Sequence, residues 1–233
     1  MSLKTILRKS GYDLIDGPIR NHKILQLWLK QPGNPPTIYY QHILHALTSS
    51  VILEEFQDEA LRVNHRHKET YSFNIGITVL DNILTALGLG SLGIELIFNG
   101  GKEVAISYGE SKTVTVGLGD IQSFLNTSDF THPNKGLLRN ANRSRIVLIN
   151  SILMAKNLRS TITSNQTISA DVIANLNNQA EGQATFTRTK DATLEMNVTG
   201  NAFIPIAVQA HRLDWDNGTF DRMSLITDDR NIF

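Results

Sequence analysis

The forty residues TITSNQTISADVIANLNNQAEGQATFTRTKDATLEMNVTG, Thr161 to Gly200, decide how this chain is read. Eighteen of them are Thr, Ser, Asn or Gln, five of the fourteen apolar residues are only Ala, and Phe186 is the sole aromatic, so the stretch carries too little apolar volume to be core. Its alternation is nevertheless clear. Leu194, Met196 and Val198 fall on one side while Thr193, Glu195, Asn197 and Thr199 fall on the other; Ala184 and Phe186 alternate with Gln183, Thr185 and Thr187. A period of two with unlike faces marks strands between two environments. The environments are core and water in an exposed sheet, or lipid and water in a β-barrel wall. Alternation alone leaves both open.

Working outward, 233 residues suffice for one large domain, or one domain with a short appendage. A hydrophobic share of 41% with 19% charged residues places the chain among folded proteins rather than disordered ones. No apolar window reaches the eighteen or so residues of a membrane-crossing helix, and Met1 to Ser10 lacks the apolar run of a secretory signal. Cysteine is absent, which excludes disulfides, thiolate metal sites, cysteine nucleophiles and S-acylation. The sequons at Asn126, Asn142, Asn165, Asn197 and Asn217 are read as chance in an Asn- and Thr-rich chain.

The zero net charge conceals a segregation by sign. Residues 1–30 carry Lys4, Arg8, Lys9, Arg20, Lys23 and Lys30 against Asp13 and Asp16, six against two, a net of +4. Phe130 to Ala170 contains no acid, only Lys135, Arg139, Arg143, Arg145, Lys156 and Arg159. The last twenty residues reverse the sign, with Asp214, Asp216, Asp221, Asp228 and Asp229 against Arg222 and Arg230. Basic segments at an anionic membrane surface gain roughly 1 kcal/mol per Lys or Arg. The overall balance offers no field for a nucleic-acid partner.

Local patterns predict an alternation of helices and strands. Leu3 to Ser10 reads as a short amphipathic helix ended by Gly11, Tyr12 to Ile15 as a strand broken before Pro18, and Ile24 to Leu29 as an apolar run. The cluster Pro32 to Pro36 is a turn, and Thr37 to Phe56 reads as largely helical. Tyr71 to Thr78 alternates as a strand, Leu80 to Leu87 suggests a short helix, and Ile94 to Phe98 with Val104 to Tyr108 flank a hairpin turn at Asn99-Gly100-Gly101. Lys112 to Val116 continues the sheet, and Asp120 is placed as the N-cap of Ile121 to Leu125. Arg145 to Leu158, with Ile146, Ile149 and Leu153 spaced as on one face, reads as the best helix. Phe203 to Trp215 is the last strand, and the tail after it shows no period.

Catalytic patterns do not survive. Gly88 to Gly93 has the spacing of a dinucleotide loop in the wrong context, with a helix before it and a strand after. His42 with His45, and His65 with His67, lack a third ligand. Asp214 to Gly218 fails the calcium-loop pattern at Gly218 and Leu225. No nucleophile elbow, P-loop or carboxylate pair is present, and neither an enzymatic activity nor a cofactor is expected.

The order of elements resembles the bacterial, ancestral branch of the gasdermin family. The resemblance rests on Leu7 to Pro18, on Gly93 to Phe130 with its Asn99-Gly100-Gly101 hairpin and Ile121 to Leu125, on Ile146 to Leu158, and on Gly200 to Leu213. It implies an α+β fold, a central twisted, mostly antiparallel sheet surrounded by short helices. It also implies a latent pore-forming cell-death effector of anti-phage defence. Residues 1–215 would be the pore-forming domain and 216–233 an autoinhibitory tail. A caspase-like or trypsin-like protease encoded nearby would release it, cutting at Asp221, Arg222 or Asp229. Met223, Leu225, Ile226 and Phe233 would anchor the tail at rest. Lys4, Arg8 and Lys9, with Arg139, Arg143 and Arg145, would meet anionic lipid. A cytoplasmic monomer would become a homo-oligomer in the inner or plasma membrane. The inserting hairpins would come from about Ile94 to Val116 and Thr161 to Thr199, the second of them short or disordered at rest. Many family members carry an acylated N-terminal cysteine, which this chain lacks. Two other readings stay open: an α+β binding or scaffold domain that never meets lipid, and an enzyme of unrecognised type.

Overall fold

Ile146–Thr163 is a single strand of 18 residues, β9, and the sheet is organised around it. The computed structural model describes residues 7–15, 22–34, 36–59, 73–74, 84, 103–131, 134–198 and 203–226. The helix expected over Arg145 to Leu158 is therefore corrected to a strand. Eight consecutive residues from its start are buried, because both faces of the strand are covered there. A strand buried on both sides is apolar at every position, and its period of two disappears from the sequence. β-branched Ile146, Val147, Ile149 and Ile152 suit the extended backbone.

Each edge of β9 is shared by successive partners. On one edge lie β2 (Leu27–Leu29), paired at Ile146 to Leu148, and then β7 (Glu103–Val116), antiparallel from Thr115 opposite Ser151 to Glu103 opposite Thr163. On the other lie β12 (Ile204–Asp216), paired up to Ala155, and then β11 (Thr193–Val198), paired from Arg159. β10 (Ala184–Lys190) adds to β11, and β5 (Glu55–Glu59) and β6 (Phe73–Asn74) to β7. β1 (Asp13–Leu14) and β13 (Thr219–Leu225) add to β12, and β3 (Thr37–Tyr40) to β2. A separate bridge joins β4 (Leu47–Thr48) to β8 (Asp129–Phe130). The architecture is α+β with one large antiparallel sheet and few helices, as expected.

Two clusters of buried side chains lie along β9. The larger packs its first half with Trp28, Ile43, Phe124 from α1 (Leu118–Asn126) and Leu137 from α2 (Lys135–Ala141). The second gathers Leu158, Ile162, Phe186, Leu194 and Met196 under Leu176 of α3 (Ala170–Gln179). Helix α3 escaped sequence reading although its signals are present: Ser169 caps Val172 N, Asp171 lies in the first turn, and Val172, Ile173 and Leu176 share a face.

Other expectations also change. Thr37 to Phe56 is β3, a 3-10 turn at Ile43–His45, β4 and the start of β5, not a helix. Pro36 and the Thr-Ile-Tyr-Tyr run favour extended backbone, and His42 caps the 3-10 turn by accepting from Leu44 N. Asp120 lies inside the first turn of α1, whose N-cap is Gly117. A Cβ at Gly117 would meet the Asp120 Oδ2 at 2.7 Å. The tail has a period after all, in β13. Its two-residue connection, Asn217-Gly218, has φ of +48° and +88°, the positive pair that joins twisted strands in a hairpin.

Gly11 ends the helical turn over 7–9 at φ +79°, and a Cβ there would strike Gln209 at 2.8 Å. Tyr12 then donates or accepts at the buried Ser151 Oγ (2.6 Å), which also bonds Thr115 Oγ1 (2.6 Å), tying the first strand to β9 and β7. The hairpin at Asn99 to Gly101, the glycine loop at Gly88 to Gly93, the His65/His67 pair, most of Tyr71 to Thr78 and most of Leu80 to Leu87 lie outside the described residues.

Candidate membrane-engaging surface

The distal half of the sheet is built from β7, the end of β9, β11 and β10, and the last three have unlike faces. β11 alternates intermediate and buried residues through its length, and Ala184 and Phe186 of β10 are buried between exposed threonines. Along β9 the buried positions are 153 and 155, then 158, 160 and 162. The parity changes at Asn157, which holds φ +55° opposite Gly109, in the gap between the pairings to β12 and β11. The pairing to β7 keeps one register through this point, so the inward side of β9 changes at the left-handed residue without a slip between the strands. The solvent face is polar and charge-matched: Lys156 pairs with Glu110 at 2.6 Å, and Arg159 reaches Asn197 at 2.7 Å and Glu195 at 3.7 Å. Exposed pairs of this kind add little stability. They give a strand-rich surface a polar, hydrated face.

The basic residues divide into two groups. Arg8 is mostly buried, held by its Nε 3.2 Å from the buried carboxylate of Asp13, while Lys9 is exposed. Lys4 lies outside the described residues. Arg139 and Arg143 are exposed on and just after α2, and Arg143 and Arg145 line an open cleft of about 1040 Å³. Lys30 and Arg212 join them there, and the Lys30 backbone N–H donates to the Arg145 carbonyl at 2.8 Å. Sequence reading singled out Arg143 and Arg145 but not their convergence with Lys30 and Arg212, which only the β2–β9–β12 pairing creates. The cleft is an anion-attracting surface whose last wall is the tail, through Ser224, Leu225 and Ile226.

The described tail is thus a sheet strand. Arg222 donates from Nε to the Asp214 Oδ2 at 3.1 Å, Arg212 Nε lies 3.2 Å from Oδ1 of the same carboxylate, and Arg222 is 4.0 Å from exposed Asp221. Burial alone would raise the Asp214 pKa; hydrogen bonds from Ser144 and Arg222 and the nearby guanidinium charges outweigh it and lower it. The Asp221–Arg222 bond lies within β13, on a strand whose only partner among the described residues is β12. Met223 and Ile226 are partly buried against the larger core, whereas Leu225 remains 40% exposed. At the tip, Gly218 N donates to Asn142 at 3.1 Å. Asp229 and Phe233 lie outside the described residues. His211, beside Leu225 in register, is buried and its pKa is pushed down to about 4 by desolvation. Among the described residues no group of His, Asp or Glu converges as for a metal ion, and no helix is long and apolar enough to cross a membrane.

These features define an α+β protein whose two-sided antiparallel sheet carries a basic cleft closed on one side by its own tail. A family model described as the bacterial gasdermin family matches residues 15–221, and the chain belongs to that family. The structure of a bacterial gasdermin from Bradyrhizobium tropiciagri is similar in fold, with a TM-score of 0.60 at 12% identity, covering 95% of this chain and 90% of that one. The cryo-EM structure of the gasdermin A3 membrane pore also matches, with a TM-score of 0.33 at 10% identity over 93% of this chain and 86% of that one. No curated protein sequence matches.

Proposed function

We propose that this gasdermin is a latent membrane-permeabilising effector, held at rest by its C-terminal tail and released by a protease. The observation that carries the reading is the two-sided polarity of the distal strands, the end of β9 with β11 and β10. A transmembrane strand needs roughly 9–11 residues. β7 and β9 have 14 and 18, whereas β11 and β10 have 6 and 7. The second hairpin therefore has to lengthen, drawing on residues 164–183. Closure into a ring of copies would satisfy the strand edges that lipid cannot.

Lys9, Arg139, Arg143 and Arg145 engage anionic headgroups in this reading, while Arg8 serves Asp13 instead. Residues 216–233 act as the inhibitory segment, and cleavage at Asp221, Arg222 or Asp229 by a caspase-like or trypsin-like protease frees it. The resting protein is a cytoplasmic monomer, the active one a homo-oligomer in the inner or plasma membrane, and the outcome is death of a phage-infected cell.

The experiment compares the full chain with a variant ending at Asp221 on dye-loaded vesicles, anionic and zwitterionic. The shortened chain is expected to release dye from anionic vesicles while the full chain does not. Vesicles that keep their dye in both cases overturn the reading and favour an α+β binding domain.

A further inference from the structure

Four strands meet in one row at the basic cleft. Trp28 of β2, Val147 of β9, Arg212 of β12 and Ser224 of β13 are successive cross-strand partners, so their side chains leave the sheet on one face. Lys30 and Arg145, each two residues along the chain from a member of that row, share the face. The turn between α2 and β9 adds Arg143. Ser144 N–H donates to the Ala141 carbonyl at 2.9 Å and Arg145 N–H to the Asn140 carbonyl at 3.1 Å, the two bonds that close a helix over a left-handed residue. That residue is Ser144, at φ +53°, where glycine is the usual occupant. Its hydroxyl serves the Asp214 carboxylate, which fixes the turn that presents both arginines.

The result is a hollow of about 1040 Å³ walled by four cations. Among the described residues the side chains of Lys30, Arg143 and Arg145 meet no anionic partner, and Arg212 alone is engaged, by Asp214. Among the described residues lining the hollow there is no acid and no aromatic ring. Like charges gathered without an anion repel one another, and a concave site focuses their field. Guanidinium groups match phosphate oxygens two bonds at a time. The volume lies at the upper end of small-ligand sites, roughly 300–1,000 Å³, and exceeds what one phosphate fills. With no ring to stack on a base, the group recognised is a run of phosphates. The remaining wall is the tail, through Ser224, Leu225 and Ile226, so a ligand filling the hollow touches sheet and tail together.

We infer that the cleft binds a soluble polyphosphate-bearing molecule, which clamps the tail onto the sheet and stabilises the resting state. A ligand that binds only the tail-docked form favours that form in proportion to its occupancy. The consequence for activity rests on the inhibitory role proposed for the tail, whereas binding and clamping are tested without a pore. Lipid headgroups share the phosphate chemistry, so the experiment separates the two sources.

Inorganic triphosphate is the soluble probe, titrated into the full chain. It is expected to bind by calorimetry. At saturation it is also expected to slow hydrogen exchange of the Ile226 amide, which donates to the Ala210 carbonyl at 2.9 Å, roughly tenfold. Sodium chloride at equal ionic strength and vesicles of anionic phospholipid are each expected to leave that amide unprotected. Lys30→Gln with Arg145→Gln should weaken triphosphate binding at least about tenfold and abolish the protection. Lys190→Gln, exposed on β10, should behave as the unaltered chain does. Should the double variant fail to fold, Ser224→Glu places a carboxylate among the cations from the tail side; it should block triphosphate and by itself slow the Ile226 amide. Protection by vesicles but not by triphosphate overturns the inference and assigns the cleft to headgroups. Equal protection by sodium chloride overturns it as screening, and binding without protection overturns the clamp. None of these results alters dye release by the shortened chain, just as intact vesicles would leave triphosphate binding standing.

Discussion

The two halves of β9 are one continuous strand in opposite settings. From Ile146 to Leu153 every side chain is buried, between α1, α2 and the β2 and β12 neighbours. From Met154 to Thr163 burial alternates with exposure, and the cover on the inner face is the short helix α3. Removing water from both faces stabilises roughly in proportion to apolar area, so the proximal half is the anchor of the fold. The distal half has fewer apolar contacts to lose and more hydrogen-bonded polar surface. A sheet divided in this way can rearrange at one end while the other holds.

The largest test of that contrast lies within the strand itself. Leu148→Ala, at a fully buried site, is expected to lower stability by about 2–5 kcal/mol, from lost transfer free energy and the cavity left behind. Thr161→Ala, exposed on the distal half, is expected to stay within about 0.5 kcal/mol. Urea denaturation measures both. Equal losses would mean that the division of the strand has no energetic counterpart.

Acid should strike the anchor. His211, on β12 opposite Leu148, is buried neutral with its pKa near 4, below the ordinary 6.5. The unfolded chain binds this proton at higher pH than the folded one, so stability is full above about pH 6.5 and falls as pH drops toward 4. Between pH 7 and pH 5 the loss is expected to be about 2 kcal/mol, and His211→Gln should flatten it. The charged pairs of the distal half are exposed and add little over that range. A pH profile unchanged in the Gln variant would assign the dependence to other groups.

The division also explains what could be read in advance. Alternation shows only where two faces differ, so β10 and β11 were legible, together with the stop at Gly11 and the last long strand at β12. The proximal half of β9 was not: Ile146, Ile149 and Leu153 sit at helical spacing only because every position around them is apolar too, apart from the buried Asn150 and Ser151. Helix α3 was masked by polar residues that suit a solvated helix as well as a polar strand. The β12–β13 hairpin was legible in Asn217-Gly218, a two-residue turn signal that the nearby aspartates drew toward a calcium reading. Of the surface residues, Arg143 and Arg145 stood out by charge, but the cleft they share with Lys30 and Arg212 depends on strand order.

The smallest effects should come from the boundary. Asn157 carries the left-handed backbone at which inward parity changes, and its Nδ2 lies 3.5 Å from Glu110. Asparagine tolerates that conformation, and a β-branched side chain does not. Asn157→Val is therefore expected to cost about 1–2 kcal/mol, and Asn157→Gly to change stability by only a few tenths, since glycine reaches positive φ without strain. The informative quantity is where the loss is felt. If Asn157 separates two units, hydrogen exchange in the valine variant should rise across β10 and β11 while the proximal amides of β9 stay protected. Uniform acceleration along the whole strand would show instead that the sheet opens as one body, and the contrast between its halves would be one of surface chemistry alone.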